Sequence, residues 1–286
     1  MNIQWYPGHM TKAKRAMKED IKLIDLVIEL VDARAPLASR NPDIDELGKG
    51  KARLILLNKS DMAGERENAS WKEWFCAQGC FVVEVNSRSG AGLKKINGTV
   101  QEACKEKIER DRRRGIQNRP VRAMVVGIPN VGKSTFINSY AGKACAKTGN
   151  KPGVTKGNQW IRLNKSLELL DTPGILWPRF EDQQAGLLLA MLGSINDEIL
   201  NRDELAVEMI KLLQQRYPQA LEKRYGIEDA KEQEAHAILQ QIARIRACLV
   251  KGGELDLAKA AGILIDDFRS GRLGRLTLEV PASETK

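Results

Sequence analysis

The chain has 286 residues, 46 of them Lys or Arg and 37 Asp or Glu, for a net charge of +9, with 42% hydrophobic and 5% aromatic residues. That length suggests about two domains, no apolar run reaches the roughly 18–20 residues of a membrane-spanning helix, and the opening MNIQWYPGHM lacks the apolar core of a secretory signal. Five cysteines, an odd number, with no second Cys/His pair near Cys76 and Cys80 to complete a zinc site, fit a reducing compartment, so the expectation is a cytoplasmic protein with no membrane contact.

In chain order, short apolar runs read as strands at Leu26–Asp32, Arg53–Leu57, Phe81–Val85, Arg122–Val126, Gln159–Leu163 and Leu167–Leu170. Their continuous apolar character suits strands covered on both faces. Helical patterns lie between them at Thr11–Ile21, Ala69–Gln78, Leu93–Arg113 and Thr135–Tyr140. This alternation predicts a three-layer α/β domain over residues 1–178. After Trp177-Pro178 the pattern turns helical. Leu205, Met209, Leu212 and Leu213 share one face, Ile238, Ile242, Ile245 and Leu249 a second, and Leu257, Ala260, Ala261, Leu264, Ile265 and Phe268 a third. A small all-helical domain over 179–286 is expected, with one short strand at Arg275–Val280. The charge divides unevenly. Residues 179–286 carry 15 basic and 18 acidic side chains, against 31 and 19 in 1–178. A basic half of this size favours a polyanionic partner, although nucleotide-binding domains are often mildly basic for other reasons.

Gly127-Ile-Pro-Asn-Val-Gly132-Lys133-Ser134 stands between a predicted strand and a predicted helix, the context a phosphate loop requires. Its glycines let the backbone wrap phosphate, and the helix N-terminus adds positive potential. Lys133 is expected on the β- and γ-phosphates and Ser134 on Mg²⁺, with Asn130, Val131 and Thr135 completing the loop. Asn58-Lys59-Ser60-Asp61 ends the second strand. A carboxylate at Asp61 accepts both donors on the guanine edge, which adenine lacks, so the pairing of the two motifs selects GTP over ATP. Asn58 would buttress the loop and reach the base, and the Lys59 stem would cover the ring. Asn86-Ser87-Arg88 follows the third strand and forms a second base loop, with backbone amides as its contacts. Asp171-Thr-Pro-Gly174 ends the sixth strand: Asp171 would hold Mg²⁺ through water, and the Gly174 amide would face the γ-phosphate. Thr155, in the loop before Gln159–Leu163, is the candidate switch threonine on Mg²⁺, with Thr148 as its competitor.

The order is unusual. Asn58–Asp61 and the Ser87 loop precede the phosphate loop, Thr155 and Asp171–Gly174, whereas GTPases ordinarily run the other way round. The ends of the ordinary order would be joined through Cys104–Arg122, a permutation tolerated where termini are close. The chain after Gly174 then runs into the helical region instead of returning to the sheet. This order, with Trp5-Tyr-Pro-Gly-His9-Met, Asp32-Ala-Arg-Ala-Pro36, GIPNVGKS and DTPGILWP, resembles the circularly permuted ribosome-biogenesis GTPases over residues 5–178. The resemblance implies a GTPase in late maturation of the large ribosomal subunit, with GTP and GDP, a large-subunit precursor and its ribosomal RNA as partners. It also implies a catalytic or RNA-facing His9, where the residues alone favour an exposed turn histidine and the resemblance brings the two readings level. Similar potassium-dependent GTPases use an Asn at the place of Asn130 to bind K⁺, against the plainer reading of a loop-stabilising side chain. Ile175 follows Gly174 where many small GTPases place a water-orienting Gln, so another group must position water or hydrolysis must be slow. Two rivals stand: a potassium-dependent GTPase of an RNA-modification system, and a nucleotide-sensing RNA-binding module with little turnover.

Overall fold

Every residue of β1 (Leu26–Asp32) is buried, as a continuous apolar run with helices on both faces demands. A computed structural model of the chain describes residues 8–146, 158–176 and 182–281. β1 pairs in parallel with β2 (Ala52–Asn58) on one side and β4 (Val121–Gly127) on the other. β2 pairs in parallel with β3 (Phe81–Val85), and β4 with β6 (Leu167–Asp171). β5 (Gln159–Arg162) closes the edge antiparallel to β6, giving the order β3-β2-β1-β4-β6-β5. Five parallel strands bring the loops after Asp32, Asn58, Val85, Gly127 and Asp171 to one edge of the sheet, where ligands of open α/β sheets bind.

Around the sheet lie α1 (Gly8–Asp20), α2 (Asp43–Leu47), α3 (Glu65–Ala77), α4 (Leu93–Ala103), α5 (Lys105–Arg113) and α6 (Lys133–Ala141). α1 begins three residues before the expected Thr11, since a helix tolerates glycine in a first turn whose amides need no intrahelical partner. The helix expected over Leu93–Arg113 is two helices broken at Cys104. The break lets α5 fasten to the base of β1. Lys107 reaches Asp25 at 3.1 Å and Asp111 at 3.2 Å, while the Arg122 amide donates to Asp25 at 3.0 Å. Trp71 and Phe75 of α3 pack with Val31, Ala33, Ile55, Leu57 and Ala63 into a core directly beneath the carboxyl ends of β1 and β2.

The chain divides into two units, one of residues 5–179 with 279–286 and one built on residues 180–278. The second holds α7 (Gln183–Leu192), α8 (Arg202–Arg216), α9 (Pro218–Tyr225), α10 (Ala235–Ile245) and α11 (Leu257–Arg269). Asp182, Asn201 and Asp256 cap α7, α8 and α11 by accepting amides of the first turn. Leu205, Met209 and Leu213 are buried on α8, and Ala260, Ala261, Leu264, Ile265 and Phe268 on α11. The second expected stripe is shorter than its periodicity suggests: Ile238 and Ile242 are buried, whereas Ile245 is 49% and Leu249 53% exposed, because α10 ends at Ile245. The strand expected at Arg275–Val280 does not form. No neighbouring strand accepts it among the described residues; instead the Tyr217 hydroxyl accepts the Thr277 amide and donates to the Thr277 carbonyl. At Glu279 the carboxylate caps the amides of Leu37 and Ala38 at 2.8 and 3.0 Å.

Candidate functional site

The loop between β4 and α6 owes its shape to residues without tolerance for side chains. A Cβ on Gly127 would stand 2.9 Å from Val131 and 3.0 Å from the Leu30 carbonyl. Gly132 has φ +100°, and a Cβ there would fall 2.4 Å from the Asn58 amide nitrogen. Asn130 also takes a left-handed conformation, φ +60°. The loop thereby delivers Lys133 to the first position of α6, with Ser134 and Thr135, both half-buried, in the same turn.

Lys133 Nζ lies 2.5 Å from Asp171 Oδ1, and both residues are buried. Burial pulls the Lys133 pKa down and Asp171 opposes that shift. β4 and β6 are neighbours in register at Val125 and Asp171, which is what sets the two motifs side by side. The next residue, Thr172, donates its hydroxyl to the Val125 carbonyl at 2.8 Å. Gly174 then rests on the phosphate loop itself: a Cβ would meet Pro129 Cα and N at 3.0 Å each. Ile175 is buried and its carbonyl accepts from Asn41 at 3.3 Å. Its apolar side chain, in the place of a water-orienting glutamine, has no hydrogen bond to offer.

Asn58 ties three loops together. Its Nδ2 donates to the Val131 carbonyl at 2.8 Å, and its Oδ1 accepts from the Ser87 amide at 3.1 Å and the Ser87 hydroxyl at 2.8 Å. Ser139 of α6 donates to the Ser87 carbonyl at 2.5 Å, a second strap across the same loops. Asn86 accepts the amides of Arg88 and Ser89, fixing the turn while the Arg88 side chain stays exposed. Ser60 donates to the Val85 carbonyl at 3.1 Å. Asp61 is exposed, and its carboxylate has no partner among the described residues.

Lys59, itself left-handed at φ +58°, sends its ammonium to Asp32 Oδ2 at 2.7 Å and to the Asn130 carbonyl at 3.2 Å. Asp32 is further gripped by Arg34, Nε to Oδ1 at 2.9 Å and Nη2 to Oδ2 at 2.8 Å. Burial pushes the Asp32 carboxyl up, but Arg34 and Lys59 together hold it well below the usual carboxylate range. Sequence reasoning assigned Asp32, Arg34, Asn41 and Ser139 no role at the site. Asp32 had a signal: it stands at the carboxyl end of the central parallel strand. Of the expected residues, Asn58, Lys59, Ser60, Asp61, Asn86, Ser87, Arg88, Gly127, Asn130, Val131, Gly132, Lys133, Ser134, Thr135, Asp171 and Gly174 all lie on this one edge. The His9 backbone sits in the first turn of α1, and its side chain and all of Thr155 fall outside the described residues.

A sequence profile described as 50S ribosome-binding GTPase matches residues 122–247. It starts on β4, just before the phosphate loop, and leaves out Asn58–Asp61, as a permuted order requires. Ribosome biogenesis GTPase A of Bacillus cereus is 47% identical over 98% of this chain and 95% of its own length. The chain belongs to the ribosome biogenesis GTPase A family. The Thermotoga maritima relative of the same name is 32% identical over 99% of this chain and 96% of its own length. GNP-bound YlqF from T. maritima superposes with a TM-score of 0.66 at 29% identity, covering 95% of this chain and 99% of that one. A GDP-bound structure of TM YlqF gives 0.68 at 28% identity, over 94% and 100%. As a ribosome biogenesis GTPase the protein hydrolyses GTP on a permuted P-loop fold and acts in ribosome biogenesis. Among its described residues, no helix is long and apolar enough to cross a membrane.

GTPases generally work with Mg²⁺, and the donor set of this family member fits that ion. Ser134 and Asp171 offer hard oxygens, and a cation, the Lys133 ammonium, already lies against Asp171. No group of three or more His, Cys, Asp or Glu side chains gathers anywhere among the described residues. Mg²⁺ takes one or two carboxylates and completes its shell with substrate phosphates and water.

Proposed function

We propose that this GTPase is an assembly factor in late maturation of the large ribosomal subunit, binding ribosomal RNA in a manner set by its nucleotide. It works in the cytoplasm, alternating between GTP and GDP. Asp61 reads guanine, with Asn58, Lys59 and Ser60 shaping the base loop and Asn86, Ser87 and Arg88 closing it through backbone amides. The loop from Gly127 through Val131 and Gly132 wraps the phosphates, and Thr135 completes the first turn behind them. On GTP entry Lys133 leaves Asp171 for the β- and γ-phosphates, which frees the carboxylate. Ser134, Asp171 and Thr155 would hold Mg²⁺, which would supply neutralisation of the charge developing on the phosphates. Gly174 senses the γ-phosphate, His9 acts on the attacking water or on RNA, and Asn130 would hold K⁺, which would supply the positive charge an arginine finger otherwise brings.

The observation that carries this reading is the contact of Gly174 with the Pro129 backbone. It joins the phosphate loop to the chain that continues directly into the helical region, so loss of the γ-phosphate acts on the chain beyond residue 174. The profile described as 50S ribosome-binding and the basic excess in residues 1–178 support a large-subunit, RNA-bearing partner. Co-sedimentation with immature and mature large subunits, at fixed salt, tests it. A GTP analogue should hold the protein on the immature particle, and GDP should release it. Identical affinities with the analogue, with GDP and without nucleotide would overturn the nucleotide gate.

A further inference from the structure

Asp267 of α11 is buried, 1% exposed, and three arginines converge on it. Arg224, near the end of α9, donates Nε to Oδ2 at 2.6 Å and Nη2 to Oδ1 at 3.1 Å. Arg272, in the turn after α11, donates Nε to Oδ1 at 2.5 Å. Arg246, just past α10, comes no closer than 3.9 Å. The Tyr225 hydroxyl donates to Oδ2 at 2.9 Å, and the Arg246 and Arg224 guanidiniums stand 5.2 and 6.0 Å from the Tyr225 ring centre.

One buried carboxylate calls for one counter-charge, and Arg224 already meets it in bidentate fashion. Arg246 and Arg272 are surplus. They repel each other and Arg224, and they concentrate positive charge on a region, 179–286, that is net acidic. The Arg246 guanidinium makes no hydrogen bond among the described residues, and its Nε is buried without a partner there. Among the described residues the terminal nitrogens of Arg272 have no partner either, and the side chains stay reachable, 31% exposed for Arg246 and 51% for Arg272. Packing against Tyr225 and the Arg272–Asp267 bond hold the two planes in place, so little rotamer freedom is left to lose on binding.

We infer that Arg246 and Arg272, ordered by Asp267 and Tyr225, form a binding site for the phosphodiester backbone of RNA. The exposed terminal nitrogens of the guanidinium groups match phosphate oxygens, and an anion there removes the repulsion between them. The site rests on the ribosomal-RNA reading above and names where in the helical unit the phosphates are held.

The test uses the full-length protein, large-subunit precursor particles and a short RNA hairpin as probes, and Arg246→Gln, Arg272→Gln and the double variant. Lys211→Gln, which removes an exposed α8 lysine paired with Glu208, is the control. The slope of log affinity against log salt should flatten by about 1 for each arginine removed and about 2 for both. Thermal unfolding and particle-free GTP turnover should match the parent, and the control should keep the parental slope. An unchanged slope in the double variant would overturn the inference, as would a fall in affinity that comes only with a lower unfolding temperature. Competition by micromolar inorganic phosphate would also overturn it, since that marks a small-anion site. A parent protein that binds neither probe would sink the RNA reading together with this site. Parent binding that ignores nucleotide would sink the gate alone.

Discussion

At the scale of single residues, the site is held by side chains that answer to several loops at once. Asn58 commits both ends of its amide to other loops, and Asp32 neutralises Arg34 and Lys59 inside the protein. Asp61 by contrast stands at the surface with no partner among the described residues. Asp61→Asn should move preference from GTP toward xanthosine triphosphate, because the amide presents a donor to one of the two guanine donors. Competition binding checks it, and an unchanged preference for GTP would take Asp61 out of the base site. Asp32→Asn leaves the buried Arg34 and the half-buried Lys59 without their carboxylate. Removing one partner of a buried pair costs about 3–5 kcal/mol, so denaturant unfolding should show a loss of that order; a loss near zero would mean Arg34 and Lys59 find water instead. Since the folded pKa of Asp32 lies below its unfolded value, its contribution is complete above about pH 4 and declines as pH falls toward the folded value.

At the scale of elements, the phosphate loop and the Gly174 segment meet backbone to backbone. A methyl group at Gly174 would press on Pro129 at 3.0 Å, and neither backbone has a flexible end to move aside. Gly174→Ala should therefore lower GTP turnover by about a hundredfold, the scale of an ångström's misplacement at a reacting centre, while GDP binding stays near the parent's. Single-turnover hydrolysis with parallel GDP titration separates the two, and parental turnover would remove Gly174 from γ-phosphate sensing. Elements also show where periodicity misleads. Ile245 and Leu249 continue the apolar stripe of α10 in sequence, but the helix ends between them and both are exposed. Arg275–Val280 alternates as a strand does, yet a strand exists only where a neighbour accepts its hydrogen bonds.

At the scale of the whole molecule, permutation leaves the sheet order of the GTPase intact while changing which chain leaves it. α5 and the Asp25–Lys107–Asp111 group close the joint at the base of β1, so the cut falls elsewhere without loosening the sheet. The Asn130 carbonyl, φ +60°, accepts from the Lys59 ammonium, and the Asn130 side chain is the group proposed to take K⁺. Turnover should then be faster in K⁺ than in Na⁺ at equal ionic strength, and the difference should vanish in Asn130→Ala. Equal rates in the two salts would remove K⁺ from the site.

The sequence by itself determined the six strands of the sheet, the glycine-rich loop, the Asn58–Asp61 segment and their permuted order. These are local: glycines shape a loop, a continuous apolar run makes a buried strand, and chain order is simply read. Only the tertiary structure decided which side chains from distant positions share a charge or an acceptor. Lys133 with Asp171, Lys59 with Asp32, Asn58 with Ser87 and Val131, and the arginines around Asp267 are separated by up to 73 residues in the chain. Their pairing follows from strand register and helix packing, and a buried charge finds its partner across the fold because low-dielectric surroundings make an unpaired one too costly to keep.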